Sequence, residues 1–420
     1  MIYLREIINR VTEKHVKKHG RMIVLTGARQ CGKSTLAASA FPDYPVVTFD
    51  SPIERAAYET LSPEQWIQRY PIAVLDEIQK LPAMIETIKA VYDRSSDTRY
   101  ILLGSSQILL LKQIRETLAG RASLFELFPF TLPELMLRDE KSIPQPSRLR
   151  TLVTSDTRCY EIIAGVPVAD SRFAHAQERW IYYQTWGGMP ALLDREMTDH
   201  DRREWLLNYR ATYLQRDVMD IARLDRLEPF VRAQAAAALR TAQTINYASL
   251  ARLSDVSPPT AKEFLRYLEI SYQVFLLPAY YRNPEKRLSK QPKLHFIDPG
   301  VRRAITNFSG VAAGAEFESA VVSEIIKQCK NAGVPLNWYH LRTADGREVD
   351  LLLETASGYI AFECKSTTNV SESDFRHLRK LDAILDKPLI CGIVVSQDHI
   401  VREWDTDNNL WAVPAAWLLS

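Results

Sequence analysis

Between residues 22 and 106 the chain alternates short apolar runs with longer, more polar stretches of helical character. The runs are MIVLTG (22–27), PVVTFD (45–50), IAVLDE (72–77) and YILLGSS (100–106). They are nearly continuous rather than alternating, which predicts strands buried on both faces, in a parallel sheet covered by helices. The intervening segments are long enough for helical crossovers. From about 140 to 240 the pattern is mostly helical, broken by GGMP at 187–190. INYASLARLSDVSPPTAKEFLRYLE (245–269) predicts helix, Ser-Pro-Pro turn and helix, and FLLPAYYRNPEKRLSKQPKLHFID (275–298) predicts a hairpin. From about Gly314 a helix with apolar Phe317, Val321, Val322 and Ile325 opens a last α/β unit. Its strands are LNWYHLR, EVDLLLE, YIAFECKS and LICGIVVS.

At 420 residues the chain exceeds one ordinary core, so two or three domains are expected. Its 46% hydrophobic and 25% charged residues place it among globular chains. The net charge of +2 decides nothing about nucleic acid, because a basic stripe can hide in a neutral average. Five scattered cysteines, none in a CxxC pair, argue against a zinc ribbon and a disulfide framework. His15 and His19, four apart among lysines, read as a solvated helix face, with a metal pair as the alternative. The start, MIYLREIINR, lacks the apolar core of a signal peptide, and no run approaches the roughly 18 apolar residues of a membrane helix. A cytoplasmic location is expected.

GARQCGKST (27–35) fits G-x-x-x-x-G-K-[ST] at every fixed position, after a strand and before a helix. Gly27, Ala28, Arg29, Gln30, Cys31, Gly32, Lys33, Ser34 and Thr35 are therefore the expected nucleotide-binding residues. Backbone N–H groups would close around phosphate, Lys33 would neutralise it, and Ser34 would offer a hydroxyl to Mg²⁺. IAVLDE ends in Asp76, expected in the Mg²⁺ shell, and Glu77, expected to polarise the attacking water. ATP hydrolysis follows as the expected activity. Ser106, at the end of another strand, is a candidate γ-phosphate sensor or a plain turn residue. Arg121 is a candidate arginine finger acting across a subunit interface, or half of a surface salt bridge.

GARQCGKSTL, VLDEIQKLP, ILLGSSQ and AGRASLFELFPF, followed by WGGMPALL, YLQRDV, PKLHFIDPGV, GAEFESAVVSEI, REVDLLLE and AFECKS, resemble the AAA-type prokaryotic ATPases with a C-terminal domain of unknown function. The resemblance covers nearly the whole chain, and its specific part is the combination of the ATPase motifs with the tail. It implies an α/β multidomain protein with a P-loop AAA-type ATPase core (1–140) and a helical lid or linker region (141–235). A winged-helix segment (236–305) and a PD-(D/E)xK nuclease-like α/β domain (306–420) would follow. Cys31 departs from the family, where small apolar residues are commoner in the loop.

In the middle segment Leu250, Leu253, Val256, Ala261, Phe264, Leu265 and Leu268 are expected on one apolar face, leaving Thr260, Lys262, Glu263 and Arg266 toward solvent. The hairpin carries Arg282, Lys286, Arg287, Lys290 and Lys293 against Glu285, with Tyr280 and Tyr281 at its base. Such a wing suits phosphate contacts without strong sequence readout. A protein-binding role is the alternative.

In the tail, EVDLLLE and YIAFECKS flank a short turn and predict an antiparallel hairpin. Glu363 and Lys365 then share one face, Cys364 the other, with Asp350 alongside if the register allows. Two close carboxylates repel unless a cation sits between them. Asp350 and Glu363 are therefore candidate Mg²⁺ or Mn²⁺ ligands and Lys365 a candidate phosphate stabiliser, the set metal-dependent DNA cleavage needs. Glu318, with Glu316 as second choice, matches an additional ligand position of that nuclease superfamily. The competing reading is an inactive fold with Glu363 and Lys365 as a charge pair. The chain thus reads as a Mg²⁺-dependent ATPase that engages DNA, branched or single-stranded, as a homo-oligomer and conceivably a ring. The alternative is a nucleotide-driven switch or scaffold that binds proteins.

Overall fold

The computed structural model describes residues 5–104, 117–137, 143–155, 158–214, 227–307, 310 and 314–420. Five strands, β1 (Met22–Gly27), β2 (Val46–Thr48), β3 (Ile72–Asp76), β4 (Arg99–Gly104) and β5 (Ala122–Leu127), form an all-parallel sheet in the order β2-β3-β4-β1-β5. Every residue of β1 is buried. Ile23 and Leu25 face a core with Leu36 and Phe41, while Met22 and Val24 face Trp66, Ile85 and Ile88. This two-sided burial is the physical cause of the unbroken apolar runs. Helices α1 (Ile8–Val16), α2 (Lys33–Ala40) and α3 (Ala83–Arg94) belong to this unit.

The stretch expected as a single helical region, 141–235, is divided between two cores. Helix α4 (Ser171–Trp186) and the segment 148–163 supply Leu149, Ile163, Phe173 and Trp180 to a core shared with the C-terminal unit. Beyond the GGMP break, Met189, Leu206 and, from helix α5 (Glu228–Leu239), Phe230 join the core of the two-helix motif. Helical periodicity identifies which face of α4 is apolar, but not which neighbour covers it.

Helices α6 (Tyr247–Ser254) and α7 (Pro258–Ile270) are capped as their sequences dictate. Asn246 accepts from the Ser249 amide and Ser257 from the Thr260 amide, with Pro258 and Pro259 in the first turn of α7. Leu253 was expected on the inward face but is 48% exposed; Leu250, Ala251 and Ser254 turn inward instead. Strands β6 (Gln243–Thr244), β7 (Val274–Leu277) and β8 (Lys293–Phe296) form an antiparallel sheet in the order β6-β8-β7. A short helix, Pro284–Ser289, lies between β7 and β8 where only a hairpin was expected. Asn283 caps it by accepting from the Glu285 amide.

After helix α8 (Pro299–Thr306), helix α9 (Gly314–Ala332) packs on a six-stranded mixed sheet. Its strands are β9 (Asn337–Arg342), β10 (Glu348–Glu354), β11 (Tyr359–Lys365), β12 (Leu389–Ser396), β13 (Arg402–Asp405) and β14 (Leu410–Pro414), ordered β13-β14-β12-β11-β10-β9. The expected β10–β11 hairpin is present, closed by the Thr355 amide on Gly358 O at 2.8 Å. The chain leaving β7 continues along the edge of this sheet. Tyr280 N donates to His340 O at 2.7 Å and His340 N to Pro278 O at 2.9 Å, so the two-helix unit and the tail are joined through backbone.

Candidate active site

The phosphate-binding loop lies between β1 and α2. Gln30 and Gly32 adopt left-handed backbone, with φ of 58° and 95°. The glycine lets the chain turn straight into the helix at Lys33. Lys33 is buried, and its ammonium is held by Gly27 O at 3.1 Å and Ala28 O at 2.8 Å. Neither carbonyl neutralises it, and no carboxylate pairs with it among the described residues, so the loop carries an uncompensated buried charge that favours an anion. Ser34 Oγ donates to Asp76 Oδ2 at 3.2 Å. Strand β4 stands between β1 and β3 and thereby sets the distance that brings this hydroxyl and carboxylate together. Glu77 follows in left-handed conformation (φ 55°) and accepts from the Gln79 amide.

These residues fit a magnesium–nucleotide. Ser34 and Asp76 would hold the metal, which supplies charge neutralisation between phosphate oxygens when bound. Lys33 and the loop N–H groups would bind the nucleotide's phosphate, and Glu77 would be placed to hold and orient water at the end of β3. Cys31 is buried with its Sγ 3.4 Å from Leu127 O, a packing role that leaves the loop backbone in place. Ser106 and most of YLQRDV lie outside the described residues.

The loop is braced from outside the sheet. Arg5, buried, sends Nη1 to Cys31 O at 2.8 Å, Nη2 to Phe128 O at 2.6 Å and Nε to Glu134 Oε1 at 2.9 Å. Beyond Glu134 the polar contacts run into α9: Leu132 N donates to Glu324 Oε1 at 2.6 Å and Lys327 Nζ to Phe130 O at 3.1 Å. Glu6, beside them, has its carboxyl pushed up to about 7 by burial and by Glu134. On the other side Tyr209 Oη donates to Arg29 O at 3.0 Å. The GGMP break owes Gly187 to Asp298 and Gly188 to the Phe130 backbone, whose O would stand 2.3 Å from a Cβ there. A Cβ on Gly187 (φ 78°) would stand 2.0 Å from Asp298 Oδ1, while Gly188 N donates to Asp298 Oδ2 at 2.7 Å and Gly188 O accepts from Phe130 N at 2.7 Å. Asp298 also caps α8 through Val301 N at 3.0 Å.

In the tail, β10 and β11 pair Leu351 with Phe362, which places Asp350 one step further along, across from Glu363. Lys365 Nζ donates to Glu363 Oε1 at 2.8 Å. Asp350 is held by other partners. Its Oδ2 accepts from Cys364 N at 2.9 Å and its Oδ1 from Lys293 Nζ at 2.8 Å. The same ammonium is 2.5 Å from Glu318 Oε1 and 3.4 Å from Glu348 Oε1. Lys293, expected on a DNA-facing wing, is thus a correction: it is only 2% exposed and occupies the middle of the acid cluster. Burial opposes its charge, but Asp350 and Glu318 hold it protonated well beyond the usual lysine range. Glu318 has its carboxyl raised by burial and by Asp350, since two acids share one ammonium. Glu363 is pushed up to about 8 by burial and then Asp350. The cluster therefore does not fit a divalent ion as it stands. Among the described residues no group of three or more His, Cys, Asp or Glu is arranged to hold one. Glu316, the second-choice ligand, pairs with Arg302 instead.

Family models match in three consecutive blocks: an AAA domain over 19–136, a domain of unknown function (DUF8612) over 177–312 and another (DUF4143) over 313–418. The chain thus carries an AAA domain and a C-terminal DUF4143 domain. The uncharacterized proteins Mb2031c of Mycobacterium bovis and Rv2008c of Mycobacterium tuberculosis are each 25% identical to it over 409 residues, covering 95% of this chain and 81% of theirs. Among solved structures it is similar to the Walker-type ATPase PABY2304 of Pyrococcus abyssi, with a TM-score of 0.43 and 15% identity over 72% of this chain and 96% of that one.

Within the AAA domain, Arg121 makes a two-pronged ion pair with Asp93 of α3, Nε–Oδ1 at 2.8 Å and Nη2–Oδ2 at 3.0 Å. A role across an interface would have to break that pair. His15 is buried rather than on a solvated face: Nδ1 lies 2.9 Å from Gly20 O and Nε2 3.1 Å from Tyr44 Oη, packed on Phe41. Its contacts leave no ring nitrogen for a metal. Arg287, another expected wing cation, is committed to Glu354 and Asp386 of the DUF4143 domain. Sequence reading missed Arg5, Glu134 and Asp298. Asp298 had a local signal in the D-P-G helix start, and Glu134 one in the T-L-P-E capping box that begins at Thr131. Among the described residues, no helix is long and apolar enough to cross a membrane.

Proposed function

We propose that the AAA domain hydrolyses ATP with Mg²⁺ and that its nucleotide state works a switch read by the DUF8612 and DUF4143 parts. The observation that carries this is Arg5, whose guanidinium touches the phosphate-loop backbone at Cys31 and, through Glu134, the segment bonded to α9. A shift of the loop on nucleotide binding moves a fork with three buried hydrogen bonds, and such a fork does not stretch without losing one. The test is hydrogen exchange of the full chain with and without Mg-ATP. Amides of α9 should change protection in the parent and stay unchanged in Lys33→Ala. Identical exchange in the parent under both conditions would sink the switch reading while leaving hydrolysis standing.

A second reading keeps DNA as the partner. It is supported by Arg252, Lys262 and Arg266 on α6 and α7 and by Arg282, Lys286 and Lys290 beyond β7, all exposed. Burial of Lys293 and the ion pairs of half-buried Arg287 weaken it. DNA should then raise ATP turnover and bind with a steep salt dependence. If no DNA form binds or alters turnover at about 50 mM salt, the reading fails. Cleavage by the tail, and a ring using Arg121 in trans, have less support, since the acids are taken up by lysines and Arg121 by Asp93.

A further inference from the structure

We propose that Lys293 is the resident cation of the DUF4143 acid cluster, standing where a divalent metal would otherwise sit, so that the parent chain binds no metal there and loss of this side chain creates a metal site. The ammonium is surrounded as an ion would be, with oxygens of Glu318, Asp350 and Glu348 at 2.5, 2.8 and 3.4 Å. It reaches them from β8, outside the domain that owns the acids, so the cation is contributed by the neighbouring unit. The surroundings hold unused ligand capacity. His295, two residues on in β8, is fully buried with neither ring nitrogen hydrogen-bonded, and its Nε2 stands 3.9 Å from Glu318 Oε1. Glu363 Oε2 is likewise buried without a partner. A histidine and three carboxylates suit Mn²⁺ once the positive charge is gone, whereas with the ammonium present a second cation would be repelled at close range.

The test is Mn²⁺ binding to the nucleotide-free full chain, read by loss of the free-ion EPR signal. The parent should take up no Mn²⁺ that depends on Asp350. Lys293→Ala should gain one equivalent, lost again in Lys293→Ala/Asp350→Asn. Uptake by the parent that Asp350→Asn abolishes would overturn the proposal, as would a folded Lys293→Ala that gains nothing. Should Lys293→Ala fold poorly, Mn²⁺ should raise its thermal midpoint, and not that of the double variant; no rise would equally overturn the proposal. Because ATP hydrolysis uses none of these residues, turnover of Lys293→Ala reports on the AAA domain separately.

Discussion

Lys33 opens α2 and Glu77 directly follows β3, yet they answer different questions about the same site. Lys33→Ala removes the buried charge that favours phosphate, so nucleotide affinity should fall by at least about tenfold, a loss of about 1.4 kcal/mol. Glu77→Gln keeps the loop intact and should bind ATP normally while kcat drops by roughly 10² to 10⁴. Equilibrium binding and steady-state turnover measured side by side would check both, and near-parental turnover in Glu77→Gln would place the base elsewhere. Glu6 supplies a pH prediction. Its pKa rises from 4.5 to about 7 on folding, so the folded chain keeps a proton that the unfolded chain releases. Its contribution to stability is therefore greatest at low pH, declines as pH climbs from about 4.5 to about 7, and is constant above that. Glu6→Gln should gain stability relative to the parent across that window, read as a difference in urea midpoints; a flat difference would show that the carboxyl titrates normally. These residue types were legible at the P-loop, where spacing alone carries the chemistry. They were illegible at Arg5 and Glu6, because the partners, Glu134 and Asn331, are more than a hundred residues away.

Elements meet where glycine permits it. Gly187 combines a left-handed backbone with an Asp298 carboxylate lying where a Cβ would go, and Gly300 has Trp186 O at 2.0 Å from the corresponding position. Gly187→Ala should therefore cost about 1–3 kcal/mol in strain, measured by denaturant unfolding, and should also weaken ATP binding because Met189 and Tyr209 flank the loop. Ordinary stability in that variant would mean that the Asp298 contact yields cheaply. At the junction of β8, β10 and α9, Lys293→Ala without added metal leaves buried acids uncompensated, at a cost of about 3–5 kcal/mol. The antiparallel pairing of β7 and β8 was readable in the segment 275–298, although not the short helix between them. Two basic residues of that segment, Arg287 and Lys293, were misread, because charge counted along a strand does not distinguish a wing in solvent from a strand packed against acids.

Across the whole molecule, the three family blocks share apolar core, with Phe130, Trp180 and Phe317 in one cluster, and buried polar contacts such as those of Arg5 link them further. Arg5→Lys keeps the charge and loses the fork, since an ammonium cannot reach Cys31 O, Phe128 O and Glu134 at once. ATP turnover should persist in that variant while the ATP-dependent change in α9 protection shrinks, and an undiminished change would exclude Arg5 as the link. The sequence by itself determined the strand runs, the nucleotide loop with its acids, the capped helix pair and the order of units, because all depend on residues within one element or on spacings of a few positions. Tertiary structure alone decided that the helices before residue 186 belong to the tail's core, that Asp298 and Arg5 brace the loop, and that a lysine sits among the tail's acids. Those outcomes depend on which surfaces meet, and burial turns a charge that reads as solvent-facing into one that must find its counter-charge inside.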